Sequence, residues 1–135
     1  MLTRFTAPGP GFIALISPVT MSGTGGGLTK TSTAALAASL VVKATAGNLY
    51  SFEVSADSTL SAAAWWIMIF DATSLPGDGA VTPAKCYAFP SGVTSAAYAF
   101  PAAVAFTTGI VIGVSTTGCY TKTASTHAFI SGDAQ

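Results

Sequence analysis

The chain has 135 residues and no formal net charge, with 50% hydrophobic and only 7% charged residues, where ordinary soluble domains carry roughly a quarter charged. That length fits one domain, large enough to bury a core without a metal or a lattice of disulfides. The cations Arg4, Lys30, Lys43, Lys85 and Lys122 are scattered rather than striped, which argues against nucleic acid as a partner, and no apolar run reaches the roughly 18–20 residues of a membrane helix, so no membrane is expected either.

The N-terminal stretch differs from the rest. Pro8, Pro10 and Pro18 surround the short apolar run Phe12–Ile16, and Ser22-Gly23-Thr24-Gly25-Gly26-Gly27 follows. Pro fixes φ and Gly frees it, so neither supports a regular element. Residues 1–31 read as an extended arm and Gly-rich hinge, with Phe5, Phe12 and Ile13 as anchors on a neighbouring subunit. The apolar run is too short and too interrupted for an export signal, so the chain is expected to be made in a cytoplasm. The glycine run lacks the Gly-Lys-Ser/Thr ending and the preceding strand of a phosphate loop.

From residue 32 the period is two. Leu36, Ala38, Leu40 and Val42 alternate with Ala37, Ser39, Val41 and Lys43, and Tyr50, Phe52 and Val54 alternate with Ser51, Glu53 and Ser55. Alternation runs again from Phe106 to Ser115. This is the pattern of half-buried strands, and it decides for strand over helix in the Ala-rich stretch 33–39. Turns are expected at Ala46-Gly47-Asn48, Ala56-Asp57-Ser58, Leu75–Gly79, Pro90-Ser91-Gly92, Thr117-Gly118 and Ser131-Gly132-Asp133. Strands broken at such intervals predict an all-β fold, a single β-sandwich or jelly-roll-like domain over residues 32–135 with roughly seven to nine strands.

Trp65-Trp66-Ile67-Met68-Ile69-Phe70 is apolar on both faces. In a two-layer sandwich only one face of a strand meets the core, and exposed large apolar patches mark contacts. A central strand covered on both sides is one reading; the favoured one places Trp65, Trp66, Met68 and Phe70 at a subunit interface, where Trp, Phe and Met are enriched. Cys86 and Cys119 are each followed by Tyr. In a cytoplasm two small buried thiols are the expectation, with a disulfide open should their strands be neighbours. Two cysteines and one histidine do not make a zinc site.

No constellation announces a chemistry. His127, the single histidine, pairs on paper with Asp133 and any of many serines, but no Gly-x-Ser-x-Gly elbow accompanies it. Asp71 and Asp78 flank a turn without the alternating oxygen ligands of a calcium loop. Glycoside hydrolysis would need two of Glu53, Asp57, Asp71, Asp78 and Asp133 opposed across a cleft, and nothing in the sequence places them so. No catalytic residue, metal or cofactor is expected.

Several segments carry a resemblance. They are Leu40-Val41-Val42-Lys43-Ala44, Gly47-Asn48-Leu49-Tyr50, Ile69-Phe70-Asp71-Ala72 and Pro76 to Tyr87 with its Pro83-Ala84-Lys85-Cys86-Tyr87 end. Phe106-Thr107-Thr108-Gly109-Ile110-Val111 and Ser115-Thr116-Thr117-Gly118-Cys119 complete the set. Together they resemble small β-rich structural proteins of tailed bacteriophages and prophages. The resemblance implies a non-enzymatic virion component: a capsid decoration (cement) protein or head-fibre base bound to the major capsid protein, or a tail-surface protein. The expectation is a capsid decoration protein that associates with itself, as a closed cyclic oligomer, a trimer. The alternative is a tail, baseplate or fibre surface protein that binds a host receptor or glycan, using Tyr87, Tyr98 and Tyr120 on exposed loops.

Overall fold

The computed structural model describes residues 27–135, and they form two four-stranded antiparallel sheets packed face to face. The strands are β1 (Thr29–Ser32), β2 (Ser39–Lys43), β3 (Gly47–Ala56), β4 (Trp65–Phe70), β5 (Gly79–Ala80), β6 (Lys85–Phe89), β7 (Ser95–Phe106), β8 (Ile110–Ser115), β9 (Thr121–Lys122) and β10 (Ala128–Ala134). One sheet has the order β1-β10-β3-β7 and the other β2-β8-β4-β6, with β5 and β9 as a separate two-stranded ladder. The first three strands, and again β6, β7 and β8, pass from one sheet to the other at each step. Every neighbouring pair is antiparallel. This is the double-sheet order of a jelly roll. The fold is all-β, as the period of two predicts, and a single 3-10 turn at Leu60–Ala62 is its only helical piece among the described residues.

The core follows from the alternation. Leu49, Phe52, Val54, Phe106, Ala128 and Ile130 from one sheet meet Leu40, Val42, Ile67, Ile69, Ile110, Ile112 and Val114 from the other, and all are buried. Burial of such side chains contributes about 1.5–3 kcal/mol each, which is why strands with so few ion pairs hold together.

Four local expectations are corrected. The sheet begins at Thr29, inside the span read as arm, because Thr29–Ser32 pairs with Ser131–Ala134. The stretch 33–38 is neither helix nor strand: it bends at residues 34–36, and Ala37 makes one bridge to Ala128 before β2 starts at Ser39. Ser131-Gly132-Asp133 is no turn but lies within β10. Gly132 faces Val42, and a Cβ there would sit 2.9 Å from a Val42 methyl, so the glycine serves close packing of the sheets. The alternation from Phe106 to Ser115 crosses a chain reversal, with β7 ending at Phe106 and β8 starting at Ile110.

Candidate functional site

The outer surface of the β2-β8-β4-β6 sheet is built by β4. Its odd residues Trp65, Ile67 and Ile69 point between the sheets, and Trp66, Met68 and Phe70 point away. Register puts Met68 beside Gly113 and Cys86, and Phe70 beside Val111. Met68, Phe70 and Val111 are nonetheless buried, beneath Ala72, Leu75, Val81 and Cys86. Leu75 lies directly over Gly113, where a Cβ would come within 2.7 Å of its Cδ1.

The interface assignment for β4 is therefore corrected. Met68 and Phe70 are covered by one of the chain's own connections. Trp65 is a core residue, stacked on Phe89 at 4.8 Å with its Nε1–H donated to the Val93 carbonyl at 2.9 Å. Trp66, half-buried, keeps some surface. Phe5, Phe12 and Ile13 lie outside the described residues.

The cover is the connection 71–84, and the connection 116–127 pairs with it. They meet in the β5–β9 ladder, Gly79 opposite Lys122 and Ala80 opposite Thr121. Cys86 on β6 is bonded to Cys119 in the second connection, with Cα atoms 5.8 Å apart. The free thiols expected of a cytoplasmic chain are thus replaced by a disulfide, because the second connection returns across the edge strand that carries Cys86. Lys122 is 1% exposed and gives its ammonium to Asp78 Oδ1. Asp78 also accepts the Ala124 N–H at 3.0 Å. The Lys122 bond, more than the Ala124 N–H, holds the Asp78 carboxyl below the usual range. At the base of the second connection, Ser115 Oγ accepts the N–H groups of Thr117 and Thr123 at 3.2 and 3.1 Å.

A second feature lies at the open side of the sandwich, between edge strands β6 and β7. Phe52, Tyr87, Tyr98 and Phe100 cluster there with centroid separations of 5.0–6.3 Å. Tyr98 is 45% exposed. Burial raises the Tyr87 phenol above its ordinary range, and the Tyr98 phenol adds to the shift. Tyr87 and Tyr98 were expected on separate loops; they stand on edge strands and converge. Tyr120 stands apart, 72% exposed, beside Cys119.

The ionisable groups are spread out and separately engaged. His127 Nδ1 meets Asp57 Oδ2 at 2.7 Å, not Asp133. Asp57 Oδ1 also accepts the Thr59 and Leu60 N–H groups, and the Leu60 N–H is the largest reason its carboxyl sits below the usual range. Asp133 joins Lys30 and Ser51 on the outer face of the other sheet. Asp71 accepts the N–H groups of Thr107, Thr108 and Gly109 and the Thr107 hydroxyl, and so shapes the β7–β8 reversal. The Thr108 N–H contributes most to lowering its carboxyl. No group of three or more His, Cys, Asp or Glu converges as a metal site among the described residues. An open cleft of about 520 Å³ is lined by Gly27, Thr29, Val42, Lys43, Ala134 and Gln135, and it gathers no set of opposed carboxylates.

Comparison of the chain with family models, curated proteins and solved structures finds no match. The functional reading rests on residues and geometry alone.

Proposed function

We propose that the chain is a non-enzymatic virion structural protein, a capsid decoration protein that binds the assembled shell and stabilises it. The observation that carries this reading is the pairing of a jelly-roll strand order with a weakly charged outer face on the β1-β10-β3-β7 sheet. Jelly rolls recur in viral capsid and lectin domains, an argument by analogy of fold. The face presents Ser55, Ala97, Ala99 and Phe129, all exposed. Its charges are Glu53 and the Lys30–Asp133 pair. Ser131, on the same face between Ser32 and Glu53, is buried. Such a face suits association with further copies, as a trimer, and with a major capsid protein. A protein that binds only the assembled shell stabilises it by mass action.

The test is mass spectrometry of particles purified by density gradient from induced cultures of the encoding strain, with light scattering on the isolated chain. The expected result is the chain at stoichiometric level in intact particles and a discrete oligomer in solution. Particles without the chain would remove the reading.

One observation favours a second reading, a tail or fibre surface protein that binds a host glycan. Tyr87 and Tyr98 converge with Phe100 on one edge and offer aromatic faces to a sugar ring. Saturable binding of neutral host polysaccharide, lost in Tyr98→Ala with the thermal midpoint kept, would favour this reading over the first.

A further inference from the structure

The Cys86–Cys119 bond does not cross the core. Cys86 packs on the outer side of its sheet with Met68, Phe70 and Val111, and Cys119 belongs to the second connection, which pairs through β9 with the connection lying over them. Around Cys119 that connection has few other holds on the sandwich, since the buried Lys122 gives its ammonium to Asp78 and Ala124 its N–H to the same carboxylate, both within the paired connections. Tyr120 points to solvent, and a Cβ on Gly118 would meet nothing within 4 Å. The Val81 N–H donates to the Tyr120 carbonyl at 3.1 Å, and β9 pairs with β5 over two residues only. A two-stranded ladder of this length is marginal in water by itself. The firm hydrogen bonds, those of Ser115 and Thr117 to residues 117–123, sit at the base of the connection.

We infer that the disulfide is an oxidation-dependent lock on this cover. Its reduction frees residues 118–122 together with β5 and admits water to the layer of Met68, Phe70 and Val111, while the two-sheet core stays folded. The chemistry is thiol–disulfide exchange. A dithiol attacks one sulfur through its thiolate, a mixed disulfide forms, and the second thiolate resolves it. The protein gains two thiols as the reagent becomes a cyclic disulfide. Closure runs the other way, with a small-molecule disulfide such as oxidised glutathione as the oxidant and two equivalents of its thiol released. In a reducing compartment the lock is open, and in an oxidising one it closes. The sealed form is then the form found outside the cell that makes it.

Hydrogen exchange by mass spectrometry on the full chain tests this, in the oxidised state, after dithiothreitol, and in the Cys86→Ser/Cys119→Ser variant. Reduction is expected to speed exchange in peptides spanning 79–81 and 118–122 at least tenfold, and oxidised glutathione to restore it. The double variant is expected to exchange fast there in either redox state. Peptides from β3 and β10 should keep their protection in all three samples. Unchanged exchange at 118–122 on reduction would overturn the inference. So would loss of protection throughout β3 and β10, since the bond would then hold up the whole fold rather than its cover.

Discussion

The two sheets present opposite solutions to the same problem. Each turns one face to the shared core and must do something with the other. The β2-β8-β4-β6 sheet carries large apolar groups on its outer face, Met68, Phe70 and Val111, and the chain folds its own connection 71–84 over them, with 116–127 paired to it. The β1-β10-β3-β7 sheet carries small and hydroxyl-bearing groups and remains mostly exposed among the described residues. An apolar outer face thus signals an intramolecular cover where the connections are long enough to return. The outer face of the other sheet carries Ser55, Ala97, Ala99, Glu53 and the exposed Phe129.

The hardest test of this contrast is Phe70→Ala. A buried Phe replaced by Ala in a packed layer costs about 3–5 kcal/mol. If Phe70 faced another subunit instead, the isolated chain would lose almost nothing. Denaturant unfolding of the isolated chain separates the two, and a fall in the transition midpoint of that size is expected.

Removal of the disulfide comes next. Cys86 and Cys119 are 33 residues apart in sequence, and the loop-closure relation gives about 3–4 kcal/mol for a ring of that length. The Cys86→Ser/Cys119→Ser variant should unfold at lower denaturant by that amount and lose its sensitivity to reductant. A loss well above this range would mean that the cover and the sandwich are one cooperative unit.

These two predictions also mark what was legible in the sequence. That Trp65–Phe70 is apolar on both sides was plain from its residues. What lies over it was not, because Leu75 and Val81 are single apolar residues in a polar, Pro- and Gly-containing connection with no period. The same limit hid the disulfide: the strand order that returns residue 119 to residue 86 leaves no local trace. Strand existence was legible where apolar and polar residues alternate cleanly, as in Gly47–Ala56, but not in β10, where Ser131-Gly132-Asp133 has the composition of a turn. It misled from Phe106 to Ser115, where the alternation continues through a reversal stabilised by Asp71, 36 residues before Thr107. Tyr87 and Tyr98 were visible as aromatic groups. Their convergence needed the pairing of β3 with β7 and of β4 with β6.

Acid pH probes the loops that each sheet depends on. Asp57, Asp71 and Asp78 all sit below the usual carboxylate range in the folded chain. A carboxyl with a lowered folded-state pKa contributes stability that is present above its unfolded value, about 3.9, and lost as pH falls through the folded value. Thermal midpoints should therefore be flat near neutrality and decline below about pH 4. Asp71→Ala should lower the midpoint at neutral pH, because the Thr107, Thr108 and Gly109 N–H groups lose their acceptor. It should also make the acid decline shallower. Equal acid slopes in the variant and the parent would assign the decline to Asp57 and Asp78, on the 3-10 turn and the cover.

The smallest effect on stability is expected on the open face, and that is what makes it informative. Ala97 lies opposite Glu53 in the β3–β7 register, and both are exposed. Ala97→Lys places a cation beside that carboxylate. Surface substitutions of this kind stay within about 0.5 kcal/mol, and the new cross-strand pair offsets any loss of small-residue packing. The unfolding midpoint should hardly move. If this face makes the contact, association should respond strongly, because a desolvated ammonium on its edge strand has Glu53 as its one partner. The native mass by light scattering is expected to fall from an oligomer to a monomer. An oligomer that survives Ala97→Lys would shift the contact away from this outer face, to the aromatic edge of Tyr98 and Phe100 on the other side of the same strand or to the exposed part of Trp66. The contrast between a covered and an open face would then describe the fold without locating the partner.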